Sequence, residues 1–168
     1  SVLGAGSWGT ALAIQAARSG CRTLLWGHNP DHIASLSRNN ENTRYLPGLA
    51  LPESLVITAS LEEAVKFSSI ILISVPSHAF GDTLLKIKPF LNDKTEIAWA
   101  TKGFNPDDGA LLNKIVEQSI STEIHTAVLS GPTFAFEVAT GLPTAITIAS
   151  ATPEFSDLIA TIFHNHCF

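Results

Sequence analysis

The sequence of 168 residues contains no methionine and only two cysteines, Cys21 and Cys167. The cysteines form neither a CxxC pair nor a disulfide framework, which suits a reducing cytoplasm. No apolar run approaches the ~18 residues of a transmembrane helix, and no basic signal-peptide region opens the chain. We therefore expect a soluble cytoplasmic protein without a membrane span. Because the chain opens without methionine in a very short strand, we also expect a piece of a longer protein.

Charge of either sign is scarce as well. The 10 Lys and Arg residues stand against 15 Asp and Glu residues, which gives a net charge of −5. A mildly acidic chain without a basic cluster is a poor candidate for nucleic-acid binding, so we expect no nucleic-acid partner. Hydrophobic residues make up 45% of the chain, which excludes a disordered, highly charged class and is enough for one domain's core.

A convincing cluster of metal ligands is also missing. His164, His166 and Cys167 stand close together, but three neighbouring ligands without a partner elsewhere suit a tetrahedral site poorly. We therefore predict no metal site. We interpret His32 and His125 as ordinary surface groups.

What the sequence does contain is a regular alternation of short apolar runs and segments of helical periodicity. The runs predict strands at Ser1–Leu3, Arg22–Trp26, Leu55–Thr58, Ser69–Val75, Glu96–Ala100, Thr126–Leu129 and Ala145–Ala149. The segments between them predict helices at Trp8–Arg18, Pro30–Arg38, Leu61–Lys66, His78–Ile87, Asp108–Gln118, Phe134–Thr140 and Pro153–Phe163. This alternation favours an α/β fold of the Rossmann type, a mostly parallel sheet with helices on both faces.

Local signals mark the ends of several helices. Asn29 and Thr152 each precede a proline and are predicted N-caps. Gly20 follows the first helix and is predicted to end it. The stretch Asn39–Pro52 is expected to be a long irregular connection, of a kind that is often functional.

A glycine motif connects the first predicted strand to an alanine-rich helix. Gly4, Gly6 and Gly9 form the pattern G-x-G-x-x-G. In this pattern Gly4 permits a tight turn, Gly6 allows close approach of a pyrophosphate, and Gly9 allows close packing of helix on strand. Free amides and the dipole at the helix start then hold the phosphate. The strand–loop–helix context predicts a dinucleotide site, and a glycine-rich turn without a ligand is the alternative.

The end of the second strand bears on which dinucleotide is bound. An Asp or Glu about 20 residues past the loop would hold the ribose 2′-OH of NAD. Here the strand runs into Gly27, His28 and Asn29, which carry no carboxylate. Nothing there repels a 2′-phosphate, and His28 and Asn29 can donate to it. We hypothesise binding of NAD or NADP with a leaning towards NADPH; the alternative is that His28 merely faces solvent.

Polar residues follow three further strands at their carboxyl ends, where open α/β sheets bind ligands. These segments are Pro76-Ser77-His78, Thr101-Lys102-Gly103 and Ser130-Gly131-Pro132-Thr133. The Lys102 ammonium would project over the crevice, where it could polarise a carbonyl or pair with phosphate. Gly131 would allow close backbone approach, followed by a helix start. A surface lysine and a plain turn are the alternatives.

Several motifs together resemble one enzyme family, in its order and spacing, from Ser1 to about Phe163. They are GAGSWGTALA, LLWGHNP, RYLPG, VPS, ATKG and SGPTFAFEVATGLPTA. The family they resemble is the soluble, NAD(P)-dependent glycerol-3-phosphate dehydrogenases of bacteria. The resemblance implies reversible hydride transfer between NAD(P)H and a small phosphate ester, dihydroxyacetone phosphate. The product would be sn-glycerol 3-phosphate for phospholipid synthesis.

The resemblance also implies roles for single residues. It implies cofactor contacts at Ser7, Trp8, His28, Tyr45, Lys102 and Ala135, and substrate contacts at Lys102, Gly131 and Thr133. With the residues argued from the glycine loop and the strand ends, the expected cofactor site is Gly4, Gly6, Ser7, Trp8, Gly9, His28, Asn29, Tyr45, Ser77, Lys102 and Ala135. Lys102 is the expected polarising group.

Members of this family continue into an all-helical second domain, which carries the proton-transferring lysine and much of the site for the substrate phosphate. No residue of this chain can replace that lysine. We therefore expect residues 1–168 to be the N-terminal dinucleotide-binding domain of a longer enzyme, with any homodimer formed through the other domain. A stand-alone nucleotide-binding or redox-sensing module is the second hypothesis. A related dehydrogenase, such as a ketopantoate reductase or a hydroxyacid dehydrogenase, is the third and is disfavoured by the GPTFA segment.

Overall fold

A computed structural model describes residues 1–120 and 123–165 of the chain. The strands are β1 (Val2–Leu3), β2 (Thr23–Trp26), β3 (Glu41–Asn42), β4 (Leu46–Ala50), β5 (Leu55–Thr58), β6 (Ile70–Ile73), β7 (Glu96–Trp99), β8 (Thr126–Ser130) and β9 (Thr147–Ser150). The helices are α1 (Ser7–Arg18), α2 (Pro30–Asn39), α3 (Leu61–Phe67), α4 (Ser77–Ile87), α5 (Leu112–Ser119), α6 (Ala135–Thr140) and α7 (Pro153–Phe163). A short 3₁₀ turn, Lys88–Phe90, follows α4.

The main sheet has seven strands in the order β5-β2-β1-β6-β7-β8-β9. All neighbours pair in parallel except β8 and β9, which are antiparallel. The chain order reverses between β1 and β6, which makes a crevice at the carboxyl ends of these two strands. The predicted Rossmann-type fold with a mostly parallel sheet is therefore confirmed.

Helices cover both faces of the sheet, because neighbouring residues of a strand point to opposite sides. On one face α1, α2 and α7 contribute buried side chains such as Leu12, Leu36 and Phe155. On the other face α3, α4 and α5 contribute theirs, with Phe80 fully buried. Strand β6 lies between the two layers, which explains its almost continuous apolar sequence. No helix within residues 1–120 and 123–165 is long and apolar enough to cross a bilayer.

The stretch Asn39–Pro52 differs from its prediction, since it contains the antiparallel pair β3–β4. The expectation of an irregular connection was wrong. Pro47 and Gly48 lie inside β4 and read as strand breakers, but a two-stranded ribbon leaves edges where proline is tolerated. Fully buried Asn42 fixes the ribbon to the rest of the fold.

The helix ends agree with the sequence in part. The side chain of Asn29 caps α2 as predicted, accepting a hydrogen bond from the His32 amide at 3.0 Å. Thr152 precedes α7 but its side chain caps no amide of that helix, which corrects the second prediction. Helix α5 begins at Leu112 rather than at Asp108, because Gly109 has a left-handed φ of +70° that interrupts a helix. Gly20, with φ +86°, follows α1 as predicted.

Candidate functional site

Two glycines of the loop between β1 and α1 are required by the protein chain itself. Gly4 has φ +127°, and a Cβ atom placed on it would lie 2.5 Å from the carbonyl oxygen of Ser74. A Cβ atom on Gly9 would lie 1.9 Å from the carbonyl oxygen of Gly4. The loop therefore turns tightly against the end of β6, and α1 packs directly on the turn.

Gly6, between them, is different. A Cβ atom on Gly6 would meet no heavy atom within 4 Å, so packing among the described residues does not require glycine here. Its φ of −76° is open to any residue. A side chain at Gly6 would instead occupy the space in front of the loop. This fits a group, such as a pyrophosphate, that approaches the backbone from outside.

The start of α1 is prepared for an anion. Gly6 is its N-cap and supplies no capping side chain, and the first turn contains no acidic residue. Ser7 is exposed at the first helical position. The amide groups of the first turn have no intrahelical acceptor, and the helix dipole adds partial positive charge. This arrangement binds phosphate groups.

Ser74 lies beside the loop with an unpaired buried hydroxyl. Its backbone amide donates to the carbonyl oxygen of Leu3 at 2.8 Å, which fixes β6 against β1. Its Oγ atom has no hydrogen-bond partner in the described parts of the chain. Leaving such a group unsatisfied costs about 1–3 kcal/mol, so a bound polar group would offset a real penalty. Sequence reasoning missed Ser74, although it is the first polar residue after the apolar run of β6.

A cavity of about 760 Å³ opens in front of these elements. It is lined by Gly4, Ala5, Gly6, Trp26, Gly27, His28, Asn29, His32, Arg44, Tyr45, Leu61, Ser74, Val75, Pro76, His78, Ala79, Asp82, Thr83 and Lys86. Its size is typical of a small-molecule site, and it lies at the reversal of strand order. The glycine loop, the space at Gly6 and the unpaired Ser74 hydroxyl therefore fit a dinucleotide.

One wall of this cavity is the end of β2. His28 is exposed, and the side-chain oxygen of Asn29 is occupied by its capping hydrogen bond. Gly27 lies in a tight space, since a Cβ atom there would lie 2.7 Å from the Cδ1 atom of Ile33 and 3.0 Å from the Cβ atom of Ala5. Asp82 and Lys86, of opposite charge, also line the cavity, but both lie on α4. The β2 end itself contributes hydrogen-bond donors and no carboxylate.

A second wall is the β3–β4 ribbon, held by Asn42. The Asn42 amide donates to the carbonyl oxygen of Ala5 at 3.1 Å and to the Oγ1 atom of Thr10 at 2.8 Å. Its side-chain oxygen lies 3.0 Å from the Nε2 atom of His32. His32 is therefore a half-buried part of the cavity wall, and its interpretation as an ordinary surface group was wrong. Tyr45 packs edge-on against His32, with ring centroids 5.0 Å apart.

Lys102 lies where the segments that follow β1, β7 and β8 come together. Its Nζ atom donates to the carbonyl oxygen of Gly131 at 3.2 Å and lies 5.0 Å from the ring centroid of Trp8. The Trp8 indole in turn donates to the carbonyl oxygen of Ala100 at 3.1 Å. The ammonium group is thus held between the glycine loop, the end of β7 and the end of β8. The sequence predicted Trp8 as a cofactor contact and gave no signal for its contact with Lys102.

The segment after β8 leads through Gly131 and Thr133 into helix α6. Helix α6 begins at Ala135, one residue after the predicted start at Phe134. A Cβ atom on Gly131 would lie 3.0 Å from the carbonyl oxygen of Ala145, so packing explains this glycine. Thr133 is buried, and its Oγ1 atom has no partner among the residues described. It is a second unpaired hydroxyl in the predicted site.

The remaining predicted residues lie at the margins. Ser77 is the first residue of α4, and its Oγ atom is 3.7 Å from a Cβ atom placed on Gly103. Ala135 lines neither this cavity nor a second one of about 760 Å³ beside Lys102. Residues 1–120 and 123–165 contain no group of three or more His, Cys, Asp or Glu side chains that could hold a metal ion. His166 and Cys167 lie outside the described residues.

Comparison with known families gives a match over most of the chain. The model of the family described as NAD-dependent glycerol-3-phosphate dehydrogenase N-terminus matches residues 1–156. A similar curated protein is the glycerol-3-phosphate dehydrogenase [NAD(P)+] of Aeromonas hydrophila, with 50% identity over 164 residues. That alignment covers 98% of this chain and 49% of the relative. The chain therefore spans about half the length of the curated relatives it matches.

Solved structures agree with this match. The crystal structure of glycerol-3-phosphate dehydrogenase from Coxiella burnetii is 40% identical, with a TM-score of 0.94, and the match covers 99% of this chain and 51% of that one. A UDP-N-acetyl-mannosamine dehydrogenase from Staphylococcus aureus is 19% identical with a TM-score of 0.72, and the match covers 96% of this chain and 44% of that one. At this lower identity the likeness concerns the fold alone.

Proposed function

Because the chain belongs to the NAD-dependent glycerol-3-phosphate dehydrogenase family, through the model of that family's N-terminus, we propose that it is the dinucleotide-binding half of an oxidoreductase. In the full-length protein the reaction is reversible hydride transfer between NAD(P)H and dihydroxyacetone phosphate, giving sn-glycerol 3-phosphate. The observation that carries this proposal is the position of Lys102 beside the glycine loop. Its ammonium lies 5.0 Å from the ring centroid of Trp8, a residue of α1's first turn.

In this proposal, different residues of the chain bind the cofactor and polarise the substrate. The α1 amides and the open backbone at Gly6 bind the pyrophosphate, and the Ser74 hydroxyl gives a further polar contact. A bound nicotinamide supplies the hydride, so the protein mainly binds, orients and polarises. Lys102 polarises the ketone oxygen of the substrate, because a fixed cation stabilises the negative charge that develops there.

The substrate is a small phosphate ester, and Gly131 and Thr133 contact it beside Lys102. The unpaired, buried Thr133 hydroxyl supports this assignment, because a substrate oxygen would satisfy it. The half of the relatives beyond this chain supplies the proton-transferring lysine and the contacts of any homodimer. The sparing use of cysteine supports a cytoplasmic location.

NADPH is the preferred cofactor in this proposal. The end of β2 has no carboxylate to hold a free ribose 2′-OH or to repel a 2′-phosphate, and His28 is exposed beside it. We expect tighter binding of NADPH than of NADH in a fluorescence titration of the chain. Comparable or tighter binding of NADH would contradict the preference.

The activity is tested on the full-length protein that contains this chain, by following NADPH absorbance with dihydroxyacetone phosphate present. We expect substrate-dependent oxidation, and Lys102→Ala should lower kcat/KM at least about tenfold, equivalent to about 1.4 kcal/mol. Lys94→Ala, at an exposed position before β7, is the matched control. Cofactor binding without oxidation would favour the stand-alone binding or redox-sensing module, and an unchanged kcat/KM in Lys102→Ala would remove the polarising role.

A further inference from the structure

Building on the proposed binding of NADP(H), we propose that Arg44 recognises the ribose 2′-phosphate and thereby determines the choice between NADPH and NADH. Arg44 lies in the turn between β3 and β4, not at the end of β2 where sequence reasoning looked for this contact. It lines the same cavity as His28 and Asn29. The ribbon thus brings a cation to a wall that otherwise offers neutral side chains or histidine.

The guanidinium of Arg44 is available for a ligand. Among the described residues it makes no hydrogen bond or ion pair, and its Cζ atom lies 5.0 Å from the centroid of the Tyr45 ring. The ion pairs of those residues are Lys66–Glu62 and His125–Glu96, neither of which involves Arg44. A guanidinium that rests on an aromatic face keeps its in-plane N–H groups free for an anion.

The turn that carries Arg44 is held in place. The amide of Tyr45 donates to the side-chain oxygen of Asn42 at 3.2 Å, and Asn42 is itself bonded to Ala5 and Thr10 beside the glycine loop. At the far end of the ribbon, the amide of Leu51 donates to the carbonyl oxygen of Asn40 at 2.9 Å. Because the backbone on both sides is fixed relative to the loop, binding need order only the Arg44 side chain.

The charges around this wall favour a doubly charged phosphate over a hydroxyl. Asp31, in the first turn of α2, is exposed and does not line the cavity, and Asp82 lies four residues before Lys86 on α4. Hydrogen bonds between a guanidinium and a phosphate are charge-assisted and about twice as strong as neutral ones. NADH has a hydroxyl at this position and gains no such bond. Arg44 therefore discriminates between the two dinucleotides rather than strengthening both.

The test compares dissociation constants for NADPH and NADH by fluorescence titration of the 168-residue chain. Arg44→Gln keeps a long polar side chain but removes the charge, and Arg44→Ala removes the group. We expect both variants to raise the Kd for NADPH at least about tenfold and that for NADH less than about twofold. Arg38→Ala is the control, because Arg38 is exposed in the last turn of α2 and does not line the cavity.

The outcomes separate this inference from the function on which it rests. A parallel rise in both dissociation constants, or no change in either, would overturn the role of Arg44 while leaving dinucleotide binding intact. Failure of the wild-type chain to bind either dinucleotide would overturn the proposed function and this inference with it. As a direct probe, the Kd of 2′,5′-ADP, measured by calorimetry without a competing dinucleotide, should be lower for the wild type than for Arg44→Gln; equal Kd values would count against phosphate recognition.

Discussion

Two glycines of the loop before α1, Gly6 and Gly9, are present for different physical reasons. At Gly9 a side chain would collide with the carbonyl of Gly4, whereas at Gly6 it would enter open space. Gly9 is required by packing within the fold, whereas in the proposed function Gly6 leaves room for the pyrophosphate. Their separation allows stability and binding to be tested independently within one loop.

We predict that two alanine substitutions in this loop affect different properties, one the stability of the chain and the other its affinity for NADPH. Gly9→Ala should destabilise the chain by about 3 kcal/mol or more, because overpacking against backbone cannot be relieved by a rotamer change. Gly6→Ala should change stability by less than about 1 kcal/mol but raise the Kd for NADPH at least about tenfold. Urea denaturation and fluorescence titration measure the two quantities. A Gly6→Ala chain with unchanged affinity would contradict the close approach of a pyrophosphate.

Single residues were predictable from sequence where the signal is local. The glycine spacing, the strand-end lysine and the Asn29 cap each depend on neighbours in the chain. Asn42 and His32 were missed because their roles depend on distant partners. Asn42 bonds to atoms 37 and 32 positions away, and no periodicity reports such a pairing.

Among the elements, the β3–β4 ribbon connects the fold to the site. Its strands are only two and five residues long, and β4 is mostly exposed, so neither has the apolar pattern of a buried strand. The strands of the main sheet were predicted to within a few residues, because a strand that is buried on both faces has a nearly continuous apolar sequence. The ribbon is held instead by the hydrogen bonds of buried Asn42 and by the burial of Leu46 in the core.

We therefore predict that Asn42→Ala loosens the ribbon and destabilises the chain by about 2–3 kcal/mol, since it leaves buried polar atoms unpaired. The Tyr45 amide donates to the side-chain oxygen of Asn42, so its rate of hydrogen exchange should rise in Asn42→Ala. Asn39→Ala is the control; Asn39 is exposed, so its replacement should cost less than about 0.5 kcal/mol. Equal effects of the two substitutions would argue against Asn42 as the anchor.

At the scale of the whole molecule, the chain contains the crevice of a Rossmann-type sheet and spans about half the length of its relatives. Apolar side chains such as Phe104, Leu111 and Phe134 are more than half exposed near the ends of β7 and β8. The fold class and the parallel sheet were predictable because strand–helix alternation repeats along the chain. The antiparallel direction of β9 was not, since strand direction leaves no mark in its short sequence.

We predict that the 168-residue chain binds NADPH but shows negligible turnover with dihydroxyacetone phosphate. Binding needs the crevice between β1 and β6, whereas in the proposed function the proton-transferring group lies in the half of the relatives that this chain does not span. The measurement is NADPH oxidation by the chain at saturating cofactor, with the full-length protein as control. Turnover by the chain close to that of the full-length protein would show that this chain supplies the proton itself.

The central position of β1 also bears on the order of events during folding. Val2 pairs with Leu25 on one side and with Leu72 on the other, and the Gly4 turn rests against Ser74. A pairing across so many residues forms slowly, because a long segment must be closed first. Domains fold as the chain leaves the ribosome, so the glycine turn has only one of its two neighbours until the segment through Val75 has emerged. A dinucleotide can therefore stabilise only those nascent chains in which β6 has already joined the sheet.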